Sequence, residues 1–414
     1  MNGLMKNRTL CYVAVAIMLT FLLVGCTKPD TITFTAEIES VNENSILVNT
    51  IDYENFDKAS VDLRDAEYDF ELSEGQTVEI TILPEIRESY PVQVTGVKLT
   101  LIKEVGIADY FPIEDNTKYV YEGMGNEFAS FNAFVDYTSE NKAQQMIDNG
   151  GSALARVYEI KDGKLIRTFS KGEVYYRENF LDQNDMEEIL LMEPLKEGTT
   201  WTIPGGYKRT ITDTSKEVET PMGTYTAIEV TTEQEDGRNT DYYAKDIGLV
   251  KTSYRSGDME VSSTLKSIEK NAARVQSVNF YYPDVQDDKI SYISKDITYQ
   301  TNDSTSQLLE DAYKQAVNET YGVVLSTGAA IKSLTLDNEN KVRIDLNNTF
   351  VSEMNAGSGY ESMILQCIAN TFGQYYNSGE VILTVEGKPN ESGHFKMEEG
   401  QSIPVKYDGI SEES

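Results

Sequence analysis

Cysteine, histidine and tryptophan are nearly missing from this chain: 414 residues hold three, one and one of them. Cys11 and Cys26 belong to the apolar N-terminal stretch, which leaves Cys367 alone. No disulfide framework can be drawn beyond that stretch, so stability has to come from core burial and hydrogen-bonded sheet. The one histidine, His394, stands in the polar run Asn390-Glu391-Ser392-Gly393-His394, a poor place for a triad or an imidazole metal site. Cations are scarce too: 36 Lys and Arg face 68 Asp and Glu, a formal charge of −32. Such a chain repels phosphate backbones, which argues against nucleic acid, and it lies poorly on an anionic surface. Solubility is the first use of this acidity; basic partners or a charged wall polymer are the second.

Marks of chemistry are absent as well. Gly123-x-Gly125 is a turn signal and no phosphate loop. Asp337-Asn338-Glu339-Asn340 and the acidic stretch 284–288 lack the sixth-position Gly and terminal Glu of a calcium loop. Cys367 falls on the apolar stripe of a predicted helix, the place of a buried, inert thiol. No pair among the acids is marked for glycoside hydrolysis. The expectation is a non-enzyme with no catalytic residue, no cofactor and no metal site.

The apolar run from Leu10 to Leu23 follows Lys6 and Arg8 and is shorter than the ~20 residues of a membrane span. It ends in Leu23-Val24-Gly25-Cys26, which resembles the bacterial lipobox. That resemblance implies a lipoprotein signal peptide over residues 1–25, cut before Cys26, and a diacylglycerol on the Cys26 thiol. The chain is then expected outside the cytoplasm, lipid-anchored to the outer face of the bacterial cytoplasmic membrane.

Length allows about two to four domains. Residues 31–105 alternate as five short strands: Ile32-Phe34-Ala36-Ile38, then 46–48, 59–63, 78–82 and 92–101. This suits an OB-like small β-barrel. Gly75-Gln76-x-Val78 and Tyr90-Pro91-x-Gln93-Val94 resemble an OB-like module of Firmicute lipoproteins. Acidity and few aromatics favour a spacer or interaction module over an oligonucleotide site.

Residues 107–269 read as a strongly curved antiparallel β-sheet domain, rich in Tyr and punctuated by Gly198, Gly205-Gly206, Gly223 and Asp236-Gly237. Strand-like pieces include 119–121, 155–158, 174–176, 201–203, 225–230, 241–244 and 249–254. Residues 135–148 read as a strand running into a short helix. The tyrosines are first of all cross-strand residues, and second a face for wall glycan.

A linker at 270–275 precedes a change of period. Residues 276–390 read as strand, helix, strand, strand, helix, strand: two amphipathic helices over one sheet. Capping boxes are predicted at Ser304/Gln307 and Ser358/Glu361. Leu308, Leu309, Ala312, Tyr313 and Ala316 share one helix face. Val342-Arg343-Ile344-Asp345-Leu346 with Phe350, the helix bearing Asn370-Thr371, and the closing strand 381–385 with Gly387 resemble the GerMN domain family of sporulation and spore-germination proteins. Asn347 and Glu386 replace the family's usual Ser and Asp. The resemblance implies a non-catalytic assembly role at the membrane of a spore-forming cell, with Asp345, Phe350, Asn370, Thr371 and Gly387 as structural motif residues. Residues 391–414 read as an acidic polar tail.

The expected class is therefore α+β and β-rich: OB-like barrel, middle antiparallel sheet, two-helix-on-sheet GerMN-like module. The expected function is assembly in sporulation or germination, with envelope or sporulation proteins as partners. The alternative is a cell-wall glycan-binding lipoprotein, with peptidoglycan as the ligand.

Overall fold

A computed structural model describes residues 30–284, 286–315, 320–408 and 410–412. The signal segment with Cys26 lies outside them, as does Ala316. The chain divides into two compact units at Val105/Gly106.

The first unit is a closed barrel of β1 (Ile32–Asn42), β2 (Ser45–Thr50), β3 (Lys58–Asp62), β4 (Thr77–Ile82) and β5 (Val92–Lys103). Its strand order is β1-β2-β3-β5-β4, with β3 and β5 parallel and the other pairs antiparallel. The alternation seen in sequence becomes the inside: Phe34, Ala36, Ile38, Ile46, Val48, Val78 and Ile80 are buried. Closure removes the exposed edges that a five-stranded sheet would otherwise offer.

The second unit begins with a single helical turn, α1 (Ile107–Tyr110), and continues into twelve antiparallel strands. These are β6 (Lys118–Met124), β7 (Phe131–Thr138), β8 (Lys142–Asp148), β9 (Ala153–Lys161), β10 (Lys164–Gly172) and β11 (Glu188–Met192). They continue as β12 (Thr200–Thr202), β13 (Lys208–Thr220), β14 (Gly223–Glu233), β15 (Arg238–Ala244), β16 (Gly248–Ser256) and β17 (Met259–Glu269). Their order is β11-β10-β9-β8-β7-β6-β17-β16-β15-β14-β13-β12. The expected strong curvature is present. The two edge strands come together by side chains: Trp201 Nε1 on β12 donates to the Ile189 carbonyl on β11 at 2.9 Å.

Two local expectations fail here. Residues 135–148 are the β7–β8 hairpin, with no helix; Val135, Met146 and Ile147 are buried in sheet faces, and packing overrides the helix-favouring Ala-Gln-Gln-Met run. Residues 174–176 lie in the loop after β10 and not in a strand. Val174 and Tyr176 are still buried, against the C-terminal residues.

The chain then forms β18 (Arg274–Asp284), β19 (Lys289–Tyr299), α2 (Thr305–Lys314), β20 (Ile331–Leu336) and β21 (Val342–Leu346). It ends with α3 (Thr349–Met354), α4 (Ser358–Tyr375), β22 (Glu380–Val385), β23 (Lys388–Pro389), β24 (Ile403–Pro404) and β25 (Ser411–Glu412). There are two small sheets where one was expected: β18-β19-β25, and β20-β21-β22-β23 with β24 beside β22. Helix α4 packs on both β18 and β22, which explains why it is buried nearly all round from Ile364 to Tyr375. Ser304 caps α2, accepting from Gln307 N at 3.3 Å. The second predicted box is absent: the cap of α4 is Gly357, and Glu361 is buried. The tail is no free tail, because β24 and β25 return to both sheets.

Residues 107–269 and 276–390 share one hydrophobic cluster. Val157, Phe169, Tyr176 and Phe180 from the first meet Phe280, Tyr313, Phe372 and Tyr376 from the second.

Candidate functional site

The motif residues of the C-terminal segment prove to be pegs. Asp345 Oδ1 accepts from Thr384 Oγ1 and from the Gly387 N–H, both at 2.7 Å. Glu386 and Gly387 hold φ of 52° and 74°, the left-handed pair of a tight hairpin turn between β22 and β23. The Asp on one strand and the Gly after another are thus one device, in which the carboxylate fixes the turn. Phe350, on α3, is buried in the core.

Asn370 and Thr371 are neighbours that face different ways. Thr371 Oγ1 accepts from Tyr281 N (3.0 Å) and donates to Tyr313 Oη (3.1 Å), which donates to the Tyr281 carbonyl (2.7 Å). This closed ring ties α4, α2 and β18. Asn370 is fully buried and holds the tail instead: its Nδ2 donates to the Lys406 carbonyl (2.7 Å) and its Oδ1 accepts from Lys406 N (2.9 Å). Gly373, one turn on, leaves room for Val405; a Cβ there would sit 2.2 Å from its methyl. Cys367 is buried, and burial pushes its thiol well above the usual range. His394 lies in a short turn, its N–H donating to Ser392 Oγ.

Sequence reasoning did not find the buried guanidinium that joins sheet and C-terminal segment. Arg177 is 0% exposed. Its Nη1 donates to Tyr137 Oη (2.8 Å), Thr305 Oγ1 (3.0 Å) and the Asp303 carbonyl (2.5 Å). Its Nη2 donates to the carbonyls of Asp136 (2.9 Å) and Gln300 (3.0 Å). The group lies over the Tyr137 ring at 4.0 Å. Asp136, also 0% exposed, faces Arg177 at 3.4 Å and Arg274 at 3.2 Å. A bulge between Val135 and Tyr137 makes this possible, since it turns Asp136 and Tyr137 towards the C-terminal residues.

A cleft of about 500 Å³ lies within the curl of the twelve-stranded sheet. Strand β9 serves both sides: Ala153, Ala155 and Val157 join the shared core, while Leu154, Arg156 and Tyr158 line the cleft. Tyr119, Tyr121, Phe131 and Tyr243 supply further rings, with Tyr121 stacked on Phe131 at 4.3 Å. Burial pushes the Tyr119 hydroxyl up to about 12 and that of Tyr243 well above its usual value, so both are neutral at ordinary pH. At the closing seam Glu188 holds Arg167 and, at 3.0 Å, Arg209. Arginines at inward positions of apolar strands, such as Arg156 in Ala-Leu-Ala-Arg-Val-Tyr, were the available sign of this cleft.

Residues 279–391 match the Germane family profile, described as sporulation and spore germination. No curated protein matches the chain. Among solved structures, a protein described as exported, with a YmcC-like fold, from Bacteroides fragilis is 15% identical, covering 39% of this chain and 98% of its own, with TM-score 0.27. The tandem GerMN domains of the sporulation protein GerM from Bacillus subtilis are 15% identical over 32% of this chain and 46% of theirs, with TM-score 0.24. The first GerMN domain of GerM is 17% identical over 32% and 94%, with TM-score 0.22. The chain carries a GerMN-type domain at its C-terminal end, and that domain links it to sporulation and spore germination.

Proposed function

We propose that this chain is a lipid-anchored, non-catalytic interaction protein of sporulation or germination, held outside the cytoplasm by a diacylglycerol on Cys26. The match of residues 279–391 to the sporulation family carries the reading. The anchor rests on the lipobox-like Leu23-Val24-Gly25-Cys26. Two chains of a diacylglycerol, at about 0.8 kcal/mol per buried methylene, hold a protein stably without a spanning helix. The surface offered to envelope or sporulation proteins is the outer face of β20–β22. Ile344 points to the core while Arg343 and Asp345 point out, and Lys332 pairs with Glu386 at 2.5 Å on the same face. The β20 edge is less available, because Glu310 takes the Ile331 N–H and Tyr376 donates to the Leu334 carbonyl.

The test joins both claims. In a spore-forming host, Lys332→Glu with Arg343→Glu should lower sporulation or germination efficiency while the protein stays folded and membrane-held. Cys26→Ala should abolish lipid labelling and membrane retention. Normal spores from the charge-reversed protein would overturn the interaction surface. Wild-type retention of the Cys26→Ala protein would overturn the anchor.

A further inference from the structure

The cleft in the twelve-stranded sheet has a charge that the rest of the chain does not prepare for. The chain has a formal charge of −32, yet three arginines and two acids line this cleft, leaving it one positive charge. Two of those arginines are engaged at the seam: Glu188 holds Arg167 and Arg209, and Arg209 also donates to Thr232 Oγ1 (2.9 Å) and the Ile189 carbonyl (2.7 Å). The acid Asp241 accepts from Thr252 Oγ1 at 2.5 Å. Arg156 is different. It stands in mid-strand on β9, opposite Gln145 on β8, and its guanidinium makes no hydrogen bond or ion pair with any described residue. Its Nε is buried without a partner, and so is the Nε of Arg167. A buried N–H of a guanidinium costs free energy until something accepts from it.

We propose that this cleft binds an acidic sugar: a pyranose-sized polyhydroxy body carrying one carboxylate, with Arg156 as the carboxylate receptor. The planar guanidinium fork matches a carboxylate in a two-point contact. A single net positive charge suits a monoanion, and Glu188 beside Arg167 and Arg209 opposes a dianionic phosphate. The body of the ligand follows from the walls. Tyr119, Tyr158 and Tyr243 offer flat rings, and Gln145 and Asn239 offer amides that no other described side chain uses. Rings alternating with amides and acids meet the apolar faces and hydroxyl rim of a sugar; an alkyl chain would leave those amides unpaired. The volume of about 500 Å³ falls within the ordinary range of small-molecule sites. The proposal does not rest on the role of the C-terminal segment.

The test is a calorimetric titration of the full chain with N-acetylmuramic acid and glucuronic acid. N-acetylglucosamine and glucose are their counterparts without the carboxylate, and laurate is a carboxylate without the sugar. Saturable binding of the acidic sugars, at least tenfold tighter than their neutral counterparts and not displaced by laurate, is expected. Arg156→Gln should weaken the acidic sugars at least tenfold while leaving the melting curve unchanged. Arg156→Lys, which keeps charge but loses the fork, should fall between. Equal binding of neutral sugars, tighter binding of laurate, wild-type affinity in both Arg156 variants, or no saturable binding at all would each overturn the proposal.

Discussion

Replacing Arg177 with Met removes a buried charge of similar length and leaves its partners behind. Asp136, wholly buried, would keep only Arg274, the Asp303 carbonyl would lose its Arg177 donor, and the Gln300 carbonyl would keep only the Asp303 N–H. Breaking a buried ion pair from one side costs about 3–5 kcal/mol. The part-buried Asp303 carbonyl adds at most the roughly 1–3 kcal/mol of a stranded acceptor, less whatever water and relaxation recover. A fall of ~3–5 kcal/mol is therefore a conservative expectation, against a typical total of ~5–15. The loss should also depend on pH. Burial raises the Asp136 carboxyl above its ordinary value, opposed by Arg274 and Arg177. Without Arg177 it rises further, and a group raised on folding is least harmful below its unfolded pKa. The penalty should be smallest below about pH 3, under the ~3.9 of an unfolded aspartate, where the carboxyl is protonated in both states, and should grow as pH rises towards neutral. Urea unfolding of full-length wild type, Arg177→Met, and Arg177→Met with Asp136→Asn measures this. The double variant should recover part of the loss, because no buried carboxylate is stranded. A single-variant cost under about 1 kcal/mol, or a penalty that shrinks with rising pH, would refute the reasoning.

Two further predictions concern the C-terminal segment. Asn370→Ala should cost about 1–3 kcal/mol by leaving the Lys406 backbone without its pair, and should speed amide exchange across 403–407; unchanged exchange there would show that the tail is held by other contacts. Cys367, buried and with its thiol pushed up, should label slowly with a thiol reagent in native buffer and fast in denaturant, and fast native labelling would contradict its place in the core.

The five-stranded barrel was legible because strict alternation is a strong signal and each strand ends at a clear turn. The GerMN-type segment was legible for a second reason: Asp345 and Gly387 are fixed by one hydrogen bond, so their spacing marks a structure. The 135–148 hairpin was misread because Ala143-Gln144-Gln145-Met146 has helical propensity, and only burial on both sheet faces decides otherwise. The pairing of residues 403–404 and 411–412 with the two sheets was not legible, because two-residue strands carry no periodic signal. Asn370 carried the correction in advance: an amide on the buried side of a helix needs a polar partner, and none was assigned to it.

The cleft and the Arg177 junction were hidden for a common physical reason. Both depend on which face of a strand a residue occupies, and one bulge reverses that. Without the irregularity at Asp136, Tyr137 would point with Val135 into the sheet's inner cluster, and Arg177 would lose its stacking partner and its carboxylate. Side chains of one sign of oddity, such as an arginine in an apolar strand, can be seen in the sequence. Whether such an arginine is paired, like Arg167, or left without a partner, like Arg156, is decided by the strand across from it. Opposite Arg156 stands Gln145, an amide that leaves the guanidinium unneutralised, whereas Arg167 stands opposite Glu188 and is paired. The difference between Arg167, which is paired, and Arg156, which is not, is therefore a matter of register.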